Sequence, residues 1–416
     1  ATNNEQTEIT TFEARLQSNN DAESRWSWLG GVFYSKEEGH TEFDSYVRGY
    51  ADTPAFAYFN YVEYNLTGNP LAPTDRWFLG VYDTELEQIA AFGEVSFEFT
   101  ENFSITAGGR WFEYDRTFNL LQESPEGFSG ASRTEAQTQT KDDDIVGKLN
   151  LTYRIDDDRM VYFTWSEGFR NGGANPVRPA SILPLEFSSD TLTNWEIGAK
   201  TEWLDNRLRL NVAAYHMSWD DFAVQIEDPQ PGVFQLGFVN LPTAEIDGIE
   251  AEFTYVVNDA WQIDATLGYN DAQIAEATVL TLVDDDGNEF SRPVEEGARL
   301  PLTPEWSGAL GIEWRSRGEL MNAQPFARLD LAYVGEVVSN LEGFESVVGQ
   351  AGVATLPGYE TGDFRIGLEG ERWTGSLFVD NLWDERAVTF RSNRWAAPRE
   401  SIIRPRTFGL QMRYNF

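Results

Sequence analysis

Chemistry on a protein surface needs positioned acids, bases, nucleophiles or clustered charge, and this chain of 416 residues is sparing with most of them. It has no cysteine, which excludes disulfides, thiolate nucleophiles and cysteine-based zinc sites together. His40, beside a long polar stretch, and His216, in a run ending Trp219-Asp220-Asp221, each offer a metal ligand or a base. An ordinary hydrogen-bonding role is the plainer reading of both. Ser218 stands too near His216 to make a persuasive nucleophile and base of a hydrolase. Asp284-Asp285-Asp286-Gly287-Asn288-Glu289 has the oxygen ligands and the glycine of a calcium loop but not its full spacing, so a turn at a loop tip is the simpler account. No cofactor, bound metal or catalytic constellation is expected, and the chain reads as a non-enzyme.

Binding residues are easier to find. Residues 389–404 run against the acidic trend of the chain with Arg391, Arg394, Trp395, Arg399 and Arg404. Clustered arginine suits a multi-oxygen anion, because one planar guanidinium holds two oxygens at once. The same cluster also fits lipopolysaccharide phosphate or acidic neighbouring loops. Arg170, Asn171 and Asn175 flank Gly172-Gly173 at the end of an alternating run, where they could face a ligand, although the glycines need only serve a turn. Residues 39–85 carry Phe56, Tyr58, Phe59, Tyr61, Tyr64, Trp77, Phe78 and Tyr82, rings that either stack on flat ligands or pack among themselves.

The elements that position these residues are strands. At the C-terminus Phe408, Leu410, Met412, Tyr414 and Phe416 share one parity, and Gly409, Gln411, Arg413 and Asn415 take the other. Side chains of a strand alternate between two faces, so one face meets grease and the other water. The unit recurs from residue 86 onward: about ten alternating residues, a tight polar turn, about ten more, then a long loop. Turns at Thr100-Glu101-Asn102, Asp156-Asp157-Asp158, Leu204-Asp205-Asn206 and Asn258-Asp259 fall at one end. The long stretches 39–85, 119–142, 171–190, 276–302, 340–358 and 389–404 fall at the other. With two earlier strands, near residues 8–18 and 25–38, the count is about fifteen.

Aromatics at the ends of the apolar face, such as Trp373 and Trp383, span about the height of a hydrocarbon band. A mean hydropathy of -0.43 excludes a helical membrane protein and leaves a barrel open, since half of each barrel strand is polar. Acidic residues number 68 against 31 basic, a net charge of -37, which excludes nucleic acid as a partner. Inward carboxylates Glu94, Glu98, Glu196, Glu202, Glu250 and Glu252 are expected to pair with Arg110, Arg154, Lys200 and Arg365 along the lumen wall. The fold class is therefore all-β, a transmembrane antiparallel β-barrel with long extracellular loops and short periplasmic turns.

Several segments in this order carry a family resemblance. They are Glu167-Gly168-Phe169-Arg170-Asn171-Gly172-Gly173-Ala174-Asn175-Pro176, Leu192-Thr193-Asn194-Trp195-Glu196-Ile197-Gly198-Ala199-Lys200, Ile246-Asp247-Gly248-Ile249-Glu250-Ala251-Glu252 and Leu300-Pro301-Leu302-Thr303-Pro304-Glu305-Trp306. Phe378-Val379-Asp380-Asn381-Leu382-Trp383-Asp384-Glu385 followed by Pro405-Arg406-Thr407-Phe408-Gly409 completes the set. Together they resemble a TonB-dependent outer-membrane receptor, the plugged barrel of 22 strands, clearly from about residue 86 onward and loosely before it.

The resemblance implies that residues 1–416 are the barrel domain, about fifteen strands, with the plug, the energy-coupling box and the first strands lying outside the chain. It further implies residence in the outer membrane of a Gram-negative bacterium and active uptake of a scarce ligand, foremost a ferric siderophore or other iron chelate. The partners implied are outer-membrane lipid and lipopolysaccharide and the TonB inner-membrane complex. The alternatives are another nutrient (oligosaccharide, cobalamin or peptide), a passive channel, or an outer-membrane hydrolase.

Overall fold

The computed structural model describes residues 2–19, 24–46, 48–67, 75–123, 133–177, 181–228, 235–284, 286–341, 355–392 and 399–416. Alternating segments joined by tight turns pair with their sequence neighbours, because a hairpin closes the smallest loop. Fifteen strands do so in strict chain order. They are β1 (Thr2–Gln17), β2 (Trp26–Tyr46), β3 (Arg76–Glu98), β4 (Phe103–Glu123), β5 (Arg133–Arg154), β6 (Arg159–Arg170), β7 (Asp190–Trp203) and β8 (Leu208–Asp220). The rest are β9 (Thr243–Asn258), β10 (Trp261–Ile274), β11 (Trp306–Arg315), β12 (Gln324–Val334), β13 (Tyr359–Glu369), β14 (Trp373–Asp380) and β15 (Thr407–Tyr414). All neighbours are antiparallel, and β1 and β15 are the edges of the sheet. The expected count of about fifteen is met.

The two faces differ as a lipid-facing wall requires. Ile197, Ile249, Leu377 and Leu410 are 62%, 52%, 60% and 72% exposed on the apolar face. In a water-soluble sandwich such side chains would form the core, so a whole face of them left open is one that meets hydrocarbon. Aromatic rings mark its two margins. Trp165 and Trp195 are register partners on one margin, with ring centroids 6.2 Å apart, as are Tyr269 and Trp306 at 4.8 Å. Trp261 pairs with Trp314 on the other margin, and Trp26 with Phe97 at 4.3 Å. Trp195 and Trp203 are roughly 26 Å apart along β7, or about 20 Å along the membrane normal at the usual barrel tilt. Among the described residues no helix is long and apolar enough to cross a membrane.

Turn lengths are one-sided. Tight turns join β3 to β4, β5 to β6, β7 to β8, β9 to β10 and β13 to β14, all at one end. The turn from β7 to β8 is unusual in holding Leu204, Asp205 and Asn206 at φ of 58°, 55° and 62°, the left-handed region. At the other end the connections are long, and several contain two-stranded sheets: Ala223–Glu227 with Leu236–Asn240, Thr278–Val283 with Glu289–Val294, and Val388–Ser392 with Arg399–Ile402.

The strands on one flank are taller than the sequence suggests. Residues 39–85 and 119–142 read as loops, yet β2 continues to Tyr46, β3 starts at Arg76, β4 reaches Glu123 and β5 starts at Arg133. The ladder outlasts the hydrophobic signal. Beyond Ile89, Trp111 and Ile145 the outward row becomes Glu87 and Glu85, Glu113 and Asp115, Asp143 and Lys141, so pairing persists while apolar alternation stops. Between β2 and β3 stands a helix, Pro54–Thr67, that the sequence did not reveal; Thr53 Oγ1 accepts the Phe56 N–H at 3.1 Å as its N-cap.

The expected pairing on the polar, lumenal face needs correction. Glu94 pairs with Lys148 across Gly108, and Glu202 takes Arg209, its direct register partner, at 2.9 Å. Glu196 accepts a hydrogen bond from Tyr162 at 2.7 Å, and Glu252 one from Asn211 at 3.2 Å. Lys200 and Arg365 instead lie over the rings of Tyr162 and Phe378, each at 5.7 Å. Cross-strand neighbours decide these partnerships, and parity alone does not reveal which residues are neighbours.

Candidate ligand-capture site

Function in such a fold sits on the long loops, because the wall is scaffold. Here four of those connections share one apolar core. Leu183 comes from the link after β6, and Phe222, Val224, Ile226, Val239 and Leu241 from the link after β8. Val294, Ala298 and Leu300 come from the link after β10, and Leu341 from the link after β12. Residues 221–242, which supply more of it than any other connection, were not singled out as a long loop from sequence.

Buried polar groups fasten this cap. Asn175, 3% exposed, donates from Nδ2 to the Phe238 carbonyl at 2.7 Å and to the Pro184 carbonyl at 2.9 Å, and its Oδ1 accepts the Phe238 N–H at 2.7 Å. One side chain thus pairs with both backbone groups of Phe238, as a strand would. Asp228 accepts the Ser181 hydroxyl at 2.7 Å and the Ile182 N–H at 2.9 Å.

Arg170 is similarly engaged. Its Nε donates to both Asp190 oxygens at 3.0 Å, its Nη2 reaches Asp190 and also the Ala223 carbonyl at 3.1 Å, and the guanidinium lies 4.3 Å from the Trp219 ring centroid. Asp190 also accepts the Ala223 N–H at 3.1 Å. Arg170 therefore ties the top of β6 to the link after β8, with half of its side chain still open. Asn171 follows with Oδ1 buried and without a hydrogen-bond partner. Gly172 N–H donates to Tyr114 Oη at 2.9 Å, and a Cβ at this position would collide with the backbone of Phe187 and Ser189, so the glycine is required by close approach.

The arginine-rich loop divides. Arg391, in Val388–Ser392, donates from Nε to Glu400 at 2.8 Å across the hairpin, so pairing with an acidic neighbour accounts for it. Arg399 is exposed on the opposing strand, in register with Ser392. Arg394 and Trp395 lie outside the described residues. In the aromatic loop Tyr58, Tyr61 and Tyr64 are exposed on the helix Pro54–Thr67, whereas Phe78 and Tyr82 belong to β3.

Neither histidine is in this cap. His40 Nδ1 lies 2.6 Å from Asp83 and His216 Nδ1 2.9 Å from Asp247, each pair on the outward face, the second level with Trp195 of the aromatic margin. Asp284 spends its oxygens on its own turn, accepting the N–H groups of Asp286 at 3.0 Å and Asn288 at 2.7 Å and the Asn288 amide at 2.8 Å, which hold its carboxyl below the ordinary value, the Asn288 side chain foremost. Asp284, Asp286, Gly287 and Asn288 thus lie at the tip of a hairpin.

Comparison with known proteins agrees with this architecture. Residues 1–382 match the family model described as TonB dependent receptor-like, beta-barrel. The pesticin receptor of Yersinia pestis is 25% identical over 350 residues, 83% of this chain and 46% of that protein. The metal-pseudopaline receptor CntO of Pseudomonas aeruginosa is 26% identical over 340 residues, 80% of this chain and 41% of its own length. The chain spans about half the length of the curated relatives it matches. The crystal structure of the ferric yersiniabactin uptake receptor FyuA from Yersinia pestis is similar with a TM-score of 0.74 at 19% identity, over 99% of this chain and 54% of that one. The siderophore receptor PiuA from Acinetobacter baumannii follows at 0.69 and 18%, over 99% of this chain and 56% of that one. At these identities the structures establish likeness of fold.

Proposed function

Because the chain belongs to the TonB-dependent receptors, outer-membrane proteins of Gram-negative bacteria, we propose that it is the barrel portion of an active transporter for a ferric siderophore or other iron chelate. A lumen-filling domain and a segment that contacts the TonB inner-membrane complex complete it in this reading. The observation that carries it is the coincidence of a lipid-facing wall, a folded loop cap and relatives whose names are those of receptors for metal chelates. Arg170, Asn171, Asn175, Arg391, Arg394, Trp395 and Arg399 remain the proposed ligand-side residues. Arg170 and Asn175 act by holding the cap in shape, and the exposed Arg399 makes direct contact. Lipopolysaccharide surrounds the outer rim.

The test is iron-limited growth and radiolabelled iron uptake in cells with and without the gene, supplied with single purified chelates. Growth and uptake lost with the gene and restored on a plasmid for at least one ferric chelate is the expected result. Equal uptake of every chelate by both strains would remove iron from the proposal. CntO, a metal-pseudopaline receptor, gives a second reading, a chelate of a different metal, and the same assay with nickel or zinc isotopes decides it.

A further inference from the structure

The hairpin of Thr278–Val283 with Glu289–Val294, in the link after β10, is a two-stranded sheet, so each of its strands has an outer edge outside the ladder. The register decides which groups point there. Asp284 N–H donates to the Asn288 carbonyl at 3.0 Å, which makes 284 and 288 a hydrogen-bonded pair. Bonded and non-bonded pairs alternate in an antiparallel ladder, so Leu282 with Phe290, Leu280 with Arg292 and Thr278 with Val294 hold the hairpin together. Val279, Thr281 and Val283 then turn their backbone N–H and C=O groups to one outer edge, and Glu289, Ser291 and Pro293 face the other.

The two edges are built differently. Glu289–Val294 carries a glutamate and a proline with no N–H to offer, devices by which proteins blunt an exposed edge. Thr278–Val283 carries neither: Val279-Leu280-Thr281-Leu282-Val283 is uncharged and rich in the β-branched residues that favour pairing. Leu280 and Leu282 pack against the shared loop core, while Val279 and Val283, 59% and 53% exposed, stand on the opposite face with Thr281. One face thus anchors the strand and leaves its edge outward. The charges of this connection are mostly of one sign, Asp284, Asp286, Glu289, Glu295 and Glu296 against Arg292.

We propose that the outer edge of Thr278–Val283 is a docking edge for an extended, positively charged segment of another protein, which joins the hairpin as a third strand. Main-chain hydrogen bonds to Val279, Thr281 and Val283 supply the affinity, and the acidic residues of the connection select a cationic strand. The proposal goes beyond the uptake reading and needs no metal chelate.

The test uses the complete receptor in detergent and a synthetic peptide of alternating arginine and valine, with a peptide of alternating glutamate and valine as its counterpart. In fluorescence anisotropy at low salt the cationic peptide binds and the acidic one does not, and bound peptide slows hydrogen exchange at Val279, Thr281 and Val283. Thr281→Pro removes one outward N–H without touching the ladder and weakens binding about tenfold, whereas Ser291→Pro, on the opposite edge, leaves it unchanged. Unchanged exchange at Leu280 and Leu282 shows that the hairpin persists in both variants. Failure of the cationic peptide to bind overturns the inference, as do equal binding of the two peptides and wild-type affinity in Thr281→Pro. Peptide bound with no slowing at those three amides overturns it independently of any variant. So does protection before peptide is added, which assigns the edge to the receptor itself if it survives dilution and to a second copy if it does not.

Discussion

Asn175 and Arg170 show what single side chains do in the cap. Asn175→Ala leaves both backbone groups of Phe238 unpaired in a buried place, and the cost is about 1–3 kcal/mol per abandoned group, felt locally. Hydrogen exchange should rise at Phe238 and in residues 171–189 with the strands unchanged, and equal protection in the variant would contradict the assignment. Arg170→Ala strands a buried Asp190 and should cost about 3–5 kcal/mol, whereas the double variant with Asp190→Asn should recover much of it in a denaturant titration. Sequence marked both residues as facing a ligand, and left their structural role unread. The partners that hold them lie far along the chain, Phe238 for one and Ala223 for the other, and only the fold brings them together. His40 and His216 were read well, as hydrogen-bonded residues, because a lone histidine in a polar segment seldom has the neighbours that catalysis needs.

Turns and strands obey simpler rules. Asp205 is held in the left-handed region, which aspartate tolerates better than alanine, so Asp205→Ala should destabilise the β7–β8 hairpin by about 1 kcal/mol in a thermal or denaturant melt. In the hairpin at 284–288, Asp284 has a folded-state pKa below its unfolded one. Its contribution is fully present above the ordinary value of 3.8 and is lost as pH falls through the lower folded value. Amide exchange at Asp286 and Asn288 should therefore quicken only below that pH, and Asp284→Asn should abolish the dependence. Strands inside the hydrocarbon band were legible because lipid on one side and water on the other force a period of two. Above the band β2–β5 have water on both sides, so nothing in the residue types separates ladder from loop. The helix Pro54–Thr67 was missed because its aromatics fall on several sides and show no single apolar face, although Thr53-Pro54 at its start and Gly68-Asn69-Pro70 after it are ordinary helix boundary residues.

Across the whole molecule the membrane itself can be tested by depth. Ala199 lies midway between Trp195 and Trp203 on the lipid face, and Thr193 lies beyond the aromatic margin. Ala199→Arg should cost about 2–4 kcal/mol in refolding into bilayers and Thr193→Arg about 0–1 kcal/mol. An equal penalty at both sites would remove lipid from the account of this face. The shared apolar centre beneath the long connections has a further effect, on how such a surface changes over generations. Connections that bury residues against one another cannot drift one at a time, since a substitution in one must be matched in the rest. Escape from antibodies or phages by rewriting a loop is then confined to parts that stand apart from that centre, the helix Pro54–Thr67 and the hairpin from Val388 to Ile402. Sequence variation among natural isolates should pile up there and stay sparse from 222 to 241.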